Sequence, residues 1–283
     1  MMTNTQTYTI TSVANHHDAE SLSVMMTSLL HHASEPEAFA FYIMDMGLSD
    51  QHKWSLRQIA AQFHSELYLI AATPGIFPTM SWVHAVRSRP LAAPDYYRLL
   101  LPYVVDTPVR RFLYIDPDTV VRSDVTLLWE DPLDDAIVAA ADRVDSTAAG
   151  LTNFDASRPF HVGVLMIEAW KWRAQRLSDT LFSHMNKNKS SHVSGLQDAL
   201  NAVLFHQRRS LHPRWNTTTA MFTDPLPAGP YRQQIIEAIS DPAIAHFTGS
   251  VKPWNAYCPH PYKYEYEYYR ARTMAAVTLP RTL

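Results

Sequence analysis

The stretch YTITSVANHHDAESLSVMMTSLLHHASEPEAFAFYIMDMGLSDQHKWSLRQIAAQFHSELYLIAA, residues 8–72, decides the fold. Residues 8–13 form a short run of strand character. Leu22, Met25, Met26, Leu29 and Leu30 then recur at helical spacing and build one apolar face, with Asp18 placed to cap the helix. Residues 39–44 are an apolar run of strand length. Gly47-Leu48-Ser49-Asp50 reads as a turn into a helix over about 51–63, and 67–72 as another strand stopped by Thr73-Pro74-Gly75. This strand–helix–strand–helix–strand rhythm predicts an α/β fold with a mainly parallel sheet flanked by helices on both faces. In such sheets ligands bind beyond the C-terminal ends of the strands.

Outward from there, residues 75–95 are irregular and rich in proline and tryptophan. Residues 95–105 read as a helix leading into a strand at 111–115, and 137–141 and 163–167 as further strands on either side of a flexible loop at 142–162. Helices are expected at 170–187 and 195–205. The segment from Tyr257 to Arg272 is dense in tyrosine with interspersed charges. A main domain over 1–255 with a C-terminal appendage over 256–283 is expected. Of 283 residues 47% are hydrophobic and 18% charged, enough for a sizeable core, and the formal net charge of -3 gives no basic field to hold a nucleic acid. Cys258, the only cysteine, has no intrachain partner for a disulfide. The first residues lack a basic region followed by a long apolar run, and no apolar stretch reaches the roughly 18–20 residues needed to span a bilayer. A cytoplasmic globular protein is the expectation.

Chemistry concentrates in two places. The apolar run Phe112-Leu113-Tyr114-Ile115 ends in Asp116-Pro117-Asp118. Along an extended chain, residues two apart point the same way, so both carboxylates face one ligand. Two like charges so close stay ionised only with a cation between them, and a hard divalent ion is the natural occupant. A surface turn rich in Asp and Pro would leave the same pattern. The second place is His246-Phe247-Thr248-Gly249-Ser250-Val251-Lys252-Pro253-Trp254. Imidazole beside two carboxylates shifts preference toward Mn²⁺. Gly249 permits close backbone approach to a bulky anion, and Lys252 supplies a flexible positive charge for a phosphate.

The two segments together resemble glycosyltransferase family 8, retaining enzymes of the GT-A fold. The resemblance runs from about residue 8 to 255 and includes Tyr97-Arg98-Leu99, Gly163-Val164-Leu165-Met166-Ile167, Trp170-Lys171-Trp172, Arg214-Trp215-Asn216 and Gln197-Asp198-Ala199-Leu200-Asn201. It implies that Asp116, Asp118 and His246 hold Mn²⁺ or Mg²⁺ against the diphosphate of a UDP-sugar donor, with Lys252 and the backbone near Gly249 sharing the work. It implies that Arg98 binds donor, that Gln197 stabilises positive charge at the anomeric carbon, and that Asp198 orients the donor sugar. A glucose or galactose unit would pass to a glycan or glycolipid acceptor such as lipopolysaccharide.

Departures cluster at the donor pocket. Ala14 and His16 stand where the family usually presents an aspartate and an asparagine, with Asn15 as a substitute. His161 precedes Gly163 where an asparagine normally contacts the donor sugar, and Leu196 stands where an aspartate often binds sugar hydroxyls. Metal and diphosphate binding are thus expected intact, while base recognition and sugar identity stay open. A relative that binds nucleotide-sugar without turnover is the alternative, and a phosphohydrolase with Asp116 as nucleophile a third reading. The tyrosine-rich tail suits either a peripheral contact with the inner face of the cytoplasmic membrane or packing on the main domain.

Overall fold

The computed structural model describes residues 6–71, 93–144, 159–187, 195–226 and 231–278. The Thr73-Pro74-Gly75 stop, most of the irregular 75–95 stretch and most of the 142–162 loop lie outside the described residues.

Period-two alternation builds the central sheet. In β1 (Tyr8–Ala14), β2 (Phe39–Asp45), β3 (Glu66–Ala71) and β4 (Arg111–Ile115) the strands run parallel, with Ile10 opposite Phe41 and Leu113, and Tyr42 opposite Tyr68. Beyond β4 the sheet continues through β7 (Val164–Glu168), β6 (Val138–Ala141) and β8 (Arg208–Leu211), in the order β3-β2-β1-β4-β7-β6-β8. Strand β7 is antiparallel to both its neighbours, and β6 and β8 pair in parallel, so the sheet is mainly parallel. Alternate residues feed two cores. Phe39, Phe41, Ile43, Leu113 and Ile115 pack under α1 (Ala19–His32) and α2 (Asp50–Gln62). Tyr42, Met44, Phe112, Tyr114 and Leu165 pack under α3 (Leu177–Lys187) and α4 (Leu196–Leu204) on the other face.

Two expected helices are interrupted. The 95–105 helix is two pieces, Ala93–Arg98 and Leu101–Val104, because Pro102 has no N–H to continue the first and fits only the opening turn of the second. The 170–187 helix breaks between Ala169–Ala174 and α3, where Arg176 takes a left-handed φ of 51°. Asp18 stands at the start of α1 without a side-chain cap, its carboxylate accepting instead from the Asn15 N–H at 3.2 Å.

A second, three-stranded sheet was not foreseen. β5 (Thr119–Val121) runs antiparallel to β10 (Ile244–His246), which pairs in parallel with β9 (Thr217–Thr218). Over it lies the tyrosine-rich tail, which follows α5 (Tyr231–Ser240) and is folded as α6 (Lys263–Thr278) against α1. Tyr266 is fully buried with Val24, Val120 and Phe247. The Tyr269 hydroxyl lies 2.8 Å from His32 Nε2, and the Thr273 hydroxyl donates to the Thr27 oxygen at 2.9 Å. Among the described residues no helix is long and apolar enough to cross a membrane.

The chain leaves β1 toward β2 and β3, then returns to place β4 on the opposite side of β1. That reversal opens a crevice at the C-terminal ends of β1 and β4, the usual ligand position in open α/β sheets.

Candidate active site

At the end of β4 the two aspartates meet by a turn rather than by strand alternation. The strand stops at Ile115, Pro117 cannot donate to a ladder, and the Thr119 hydroxyl donates back to the Asp116 carbonyl at 2.9 Å. The small sheet then delivers the third residue. His246 pairs opposite Thr119, and the Phe247 N–H donates to the Asp118 carbonyl at 3.0 Å. Ligand atoms of Asp116, Asp118 and His246 lie within 4.8 Å of one another. His246 Nε2 stands 3.2 Å from Asp118 Oδ1 and 3.6 Å from Asp116 Oδ2. The carboxylates keep 13% and 18% of their side-chain surface exposed, so they are shielded yet reachable.

Positive charge surrounds them. Arg98 donates to Asp116 Oδ1 at 2.5 Å while lying over the Tyr114 ring, and the Tyr114 hydroxyl donates to the same oxygen. Lys252 donates to Asp118 Oδ2 at 2.6 Å and to the Phe247 carbonyl at 2.9 Å. Burial raises the Asp116 carboxyl, and repulsion from Asp118 adds to this against the pull of Arg98 and His246. Burial acts on Asp118 in the same sense, but His246 and Lys252 outweigh it and hold that carboxyl well below the usual carboxylate range.

Gly163 closes the floor. Its carbonyl accepts from the Asp116 N–H at 2.8 Å, and a β-carbon there would lie 2.2 Å from His246 Cε1 and 2.7 Å from Asp116 Oδ2. Only glycine leaves room for the imidazole and carboxylate to converge. The donor set of two carboxylates and an imidazole fits Mn²⁺ or Mg²⁺. The 3.2 and 3.6 Å spacings leave room for a divalent cation between the imidazole and the two carboxylates.

Other expected residues stand around this cluster. Gln197, in the first turn of α4, is tied at both ends of its amide: Oε1 accepts from the Val162 N–H at 3.1 Å and Nε2 donates to the Phe160 carbonyl. It is thus joined to the backbone that leads into Gly163. Asp198 is half-buried beside it, and Leu196 is turned into the core. Ala14 ends β1 and Asn15 follows it, and both shape the turn. The Ala14 carbonyl accepts from the Met46 N–H at 2.9 Å, and Asn15 Oδ1 accepts from the His17 N–H at 2.7 Å. Gly249 is exposed, and a β-carbon there would meet nothing within 4 Å, so its left-handed φ of 88° is what calls for glycine.

Two contributors carried no assigned role in the sequence. Tyr114 holds Asp116, and Asn216 Oδ1 lies 2.8 Å from His246 Nδ1. Both stand inside the quoted motifs, yet a neutral side chain gives no charge pattern to single it out.

The family model "Glycosyl transferase family 8" matches residues 2–258. General stress protein A of Bacillus subtilis is 30% identical over 273 residues, covering 93% of each chain. Lipopolysaccharide 1,2-glucosyltransferase of Escherichia coli is 23% identical over 59% of this chain and 50% of its own. The galactosyltransferase LgtC, solved with donor and acceptor sugar analogs, superposes with a TM-score of 0.78 at 20% identity, covering 96% of this chain and 98% of its own. The mainly parallel, helix-flanked sheet is that GT-A fold, and the chain belongs to glycosyltransferase family 8.

Proposed function

We propose that the chain is a retaining, divalent-metal-dependent glycosyltransferase that moves glucose or galactose from a UDP-sugar to a glycan acceptor. The convergence of Asp116, Asp118 and His246 above Gly163, with Lys252 at its edge, carries this reading. Those three residues would hold Mn²⁺ or Mg²⁺, which when bound neutralises the charge that gathers on a departing diphosphate. Lys252 binds Asp118 in the protein alone and reaches a phosphate oxygen once a donor enters, supplying a second positive contact to the leaving group. Arg98 opposes the rise that burial imposes on the Asp116 carboxyl. Gln197 orients the anomeric carbon, its carbonyl dipole facing the positive charge that develops there, and Asp198 holds the sugar. The backbone at Ala14, Asn15, Gly163 and Gly249 lines the donor's path.

The acceptor is a lipid-linked or other surface glycan, a class suggested by the lipopolysaccharide glucosyltransferase relative. The protein works in the cytoplasm and meets the inner face of the membrane through Trp254, Tyr257, Tyr264 and Tyr268, which are exposed beside the buried tyrosines of α6.

The test is release of nucleoside diphosphate from UDP-glucose, UDP-galactose and UDP-N-acetylglucosamine with Mn²⁺, against Asp118→Ala. Metal-dependent release by the wild type alone is expected with one UDP-hexose. A second reading, donor binding without turnover, draws on the Gln197 amide being engaged by backbone at both ends. Calorimetric binding of a donor with no release under any condition would favour it. Absence of both would remove the trio as a metal site.

A further inference from the structure

His161 stands behind His246, ring edge to ring face with centroids 5.2 Å apart. The Gly163 N–H lies 3.0 Å from His161 Nδ1. A backbone amide only donates, so this nitrogen carries a lone pair. The same Nδ1 lies 3.1 Å from Asn216 Nδ2, which is therefore the N–H end of that amide, since an oxygen would set two lone pairs against each other. Asn216 Oδ1 is then the atom 2.8 Å from His246 Nδ1, and an oxygen accepts only from N–H. The His246 proton thus sits on Nδ1. Its Nε2 is then the nitrogen that faces Asp118 Oδ1 at 3.2 Å and Asp116 Oδ2 at 3.6 Å, and the one that can offer a lone pair to a cation between them. Asn216 and His246 are almost fully buried, so the protein's own atoms decide this arrangement.

We infer that His161 is a positioning residue that, acting through Asn216, fixes the tautomer and orientation in which His246 offers Nε2 to a cation. The inference rests on the metal reading of the trio, and it gives His161 Nδ1 work behind the metal rather than on the donor sugar. The chain of contacts begins at a backbone amide, which can only donate, and this sets the direction of each later link. Partners of this kind, which orient a metal-binding imidazole through its second nitrogen, set metal affinity by about 10–100-fold.

The full-length chain tests it with two readouts at one pH above the ordinary imidazole range. Long-range ¹H–¹⁵N spectra in the presence of Mg²⁺, with His246→Gln identifying the His246 signals, report which ring nitrogen holds the proton. Titration calorimetry with Mn²⁺ alone reports affinity. His161→Phe keeps a ring and loses the acceptor, whereas His161→Asn returns an acceptor oxygen at the same number of bonds from the backbone. The wild type and His161→Asn are expected to carry the proton on Nδ1 and to bind Mn²⁺ alike. His161→Phe is expected to mix tautomers and bind Mn²⁺ about 10–100-fold more weakly. A wild-type proton on Nε2 overturns the inference with no variant needed, as does a His161→Phe protein with unchanged tautomer and affinity. A His161-dependent tautomer in a wild type that binds no Mn²⁺ upholds the relay and overturns the metal reading instead.

Discussion

Gly163 is the most demanding single position in the site, because the volume of one methyl is already claimed by His246 and Asp116. Gly163→Ala is expected to abolish Mn²⁺ binding in a calorimetric titration while circular dichroism keeps its helical signal. Wild-type affinity in that variant would show that the trio does not close over this point. His260 makes a different prediction. It is buried against Phe222 and Phe247, and that burial lowers its pKa from the ordinary 6.5 to about 4. Between those values the unfolded chain binds a proton that the folded one does not, so stability is complete above about pH 6.5 and falls as pH drops toward 4. The loss approaches roughly 3 kcal/mol at one pKa unit per ~1.4 kcal/mol. His260→Gln should flatten that part of the stability curve, measured by denaturant unfolding at a series of pH values. At this scale the sequence was legible where charge stood out. Asp116, Asp118, His246 and Lys252 all meet, although the aspartates do so through the Pro117 turn and not by strand alternation. Tyr114 and Asn216 are not legible in the sequence because what they contribute is a hydrogen bond, visible only once the partner is in place.

Among the elements, α6 is the one whose role changes most between sequence and structure. Its tyrosines divide by facing: Tyr266 and Tyr269 are buried with Val24, Val120 and Phe247, while Tyr264 and Tyr268 stay exposed. Ion pairs from Arg270 to Glu20 at 2.9 Å and from Arg122 to Glu265 at 2.7 Å fasten its flanks. Tyr266→Ala is expected to cost about 3–5 kcal/mol, as for other large buried aromatics, whereas Tyr264→Ala should fall within about 0.5 kcal/mol. Equal midpoints for the two variants in urea would contradict this packing. The first five elements were readable because each carries a full period of its pattern. Strands β5 and β9, of three and two residues, are too short to show one, and only pairing with β10 defines them. The breaks at Pro102 and Arg176 divide what hydrophobic spacing alone joins.

In the whole molecule, strand direction was the feature hydrophobicity could not give. An antiparallel β7 and a parallel β6 read alike when both faces of the sheet are covered. The reversal at β1 and the small sheet bring distant parts of the chain to one crevice, so anything held by the trio ties these parts together. Mn²⁺ at about 100 times its dissociation constant is expected to add roughly 2.7 kcal/mol of stability, read as a rise of several degrees in Tm. Asp118→Ala should remove that rise, and an equal rise in the variant would mean the ion binds elsewhere.

Asp118 and Lys252 are 134 positions apart in sequence, and His246 arrives only shortly before the lysine. At a synthesis rate of about 5–20 residues per second, a nascent chain that has already emitted Asp118 waits roughly 7–27 s for Lys252. The Asp118–Lys252 contact thus closes only after the segment carrying His246 and Lys252 has joined the sheet that carries the aspartates.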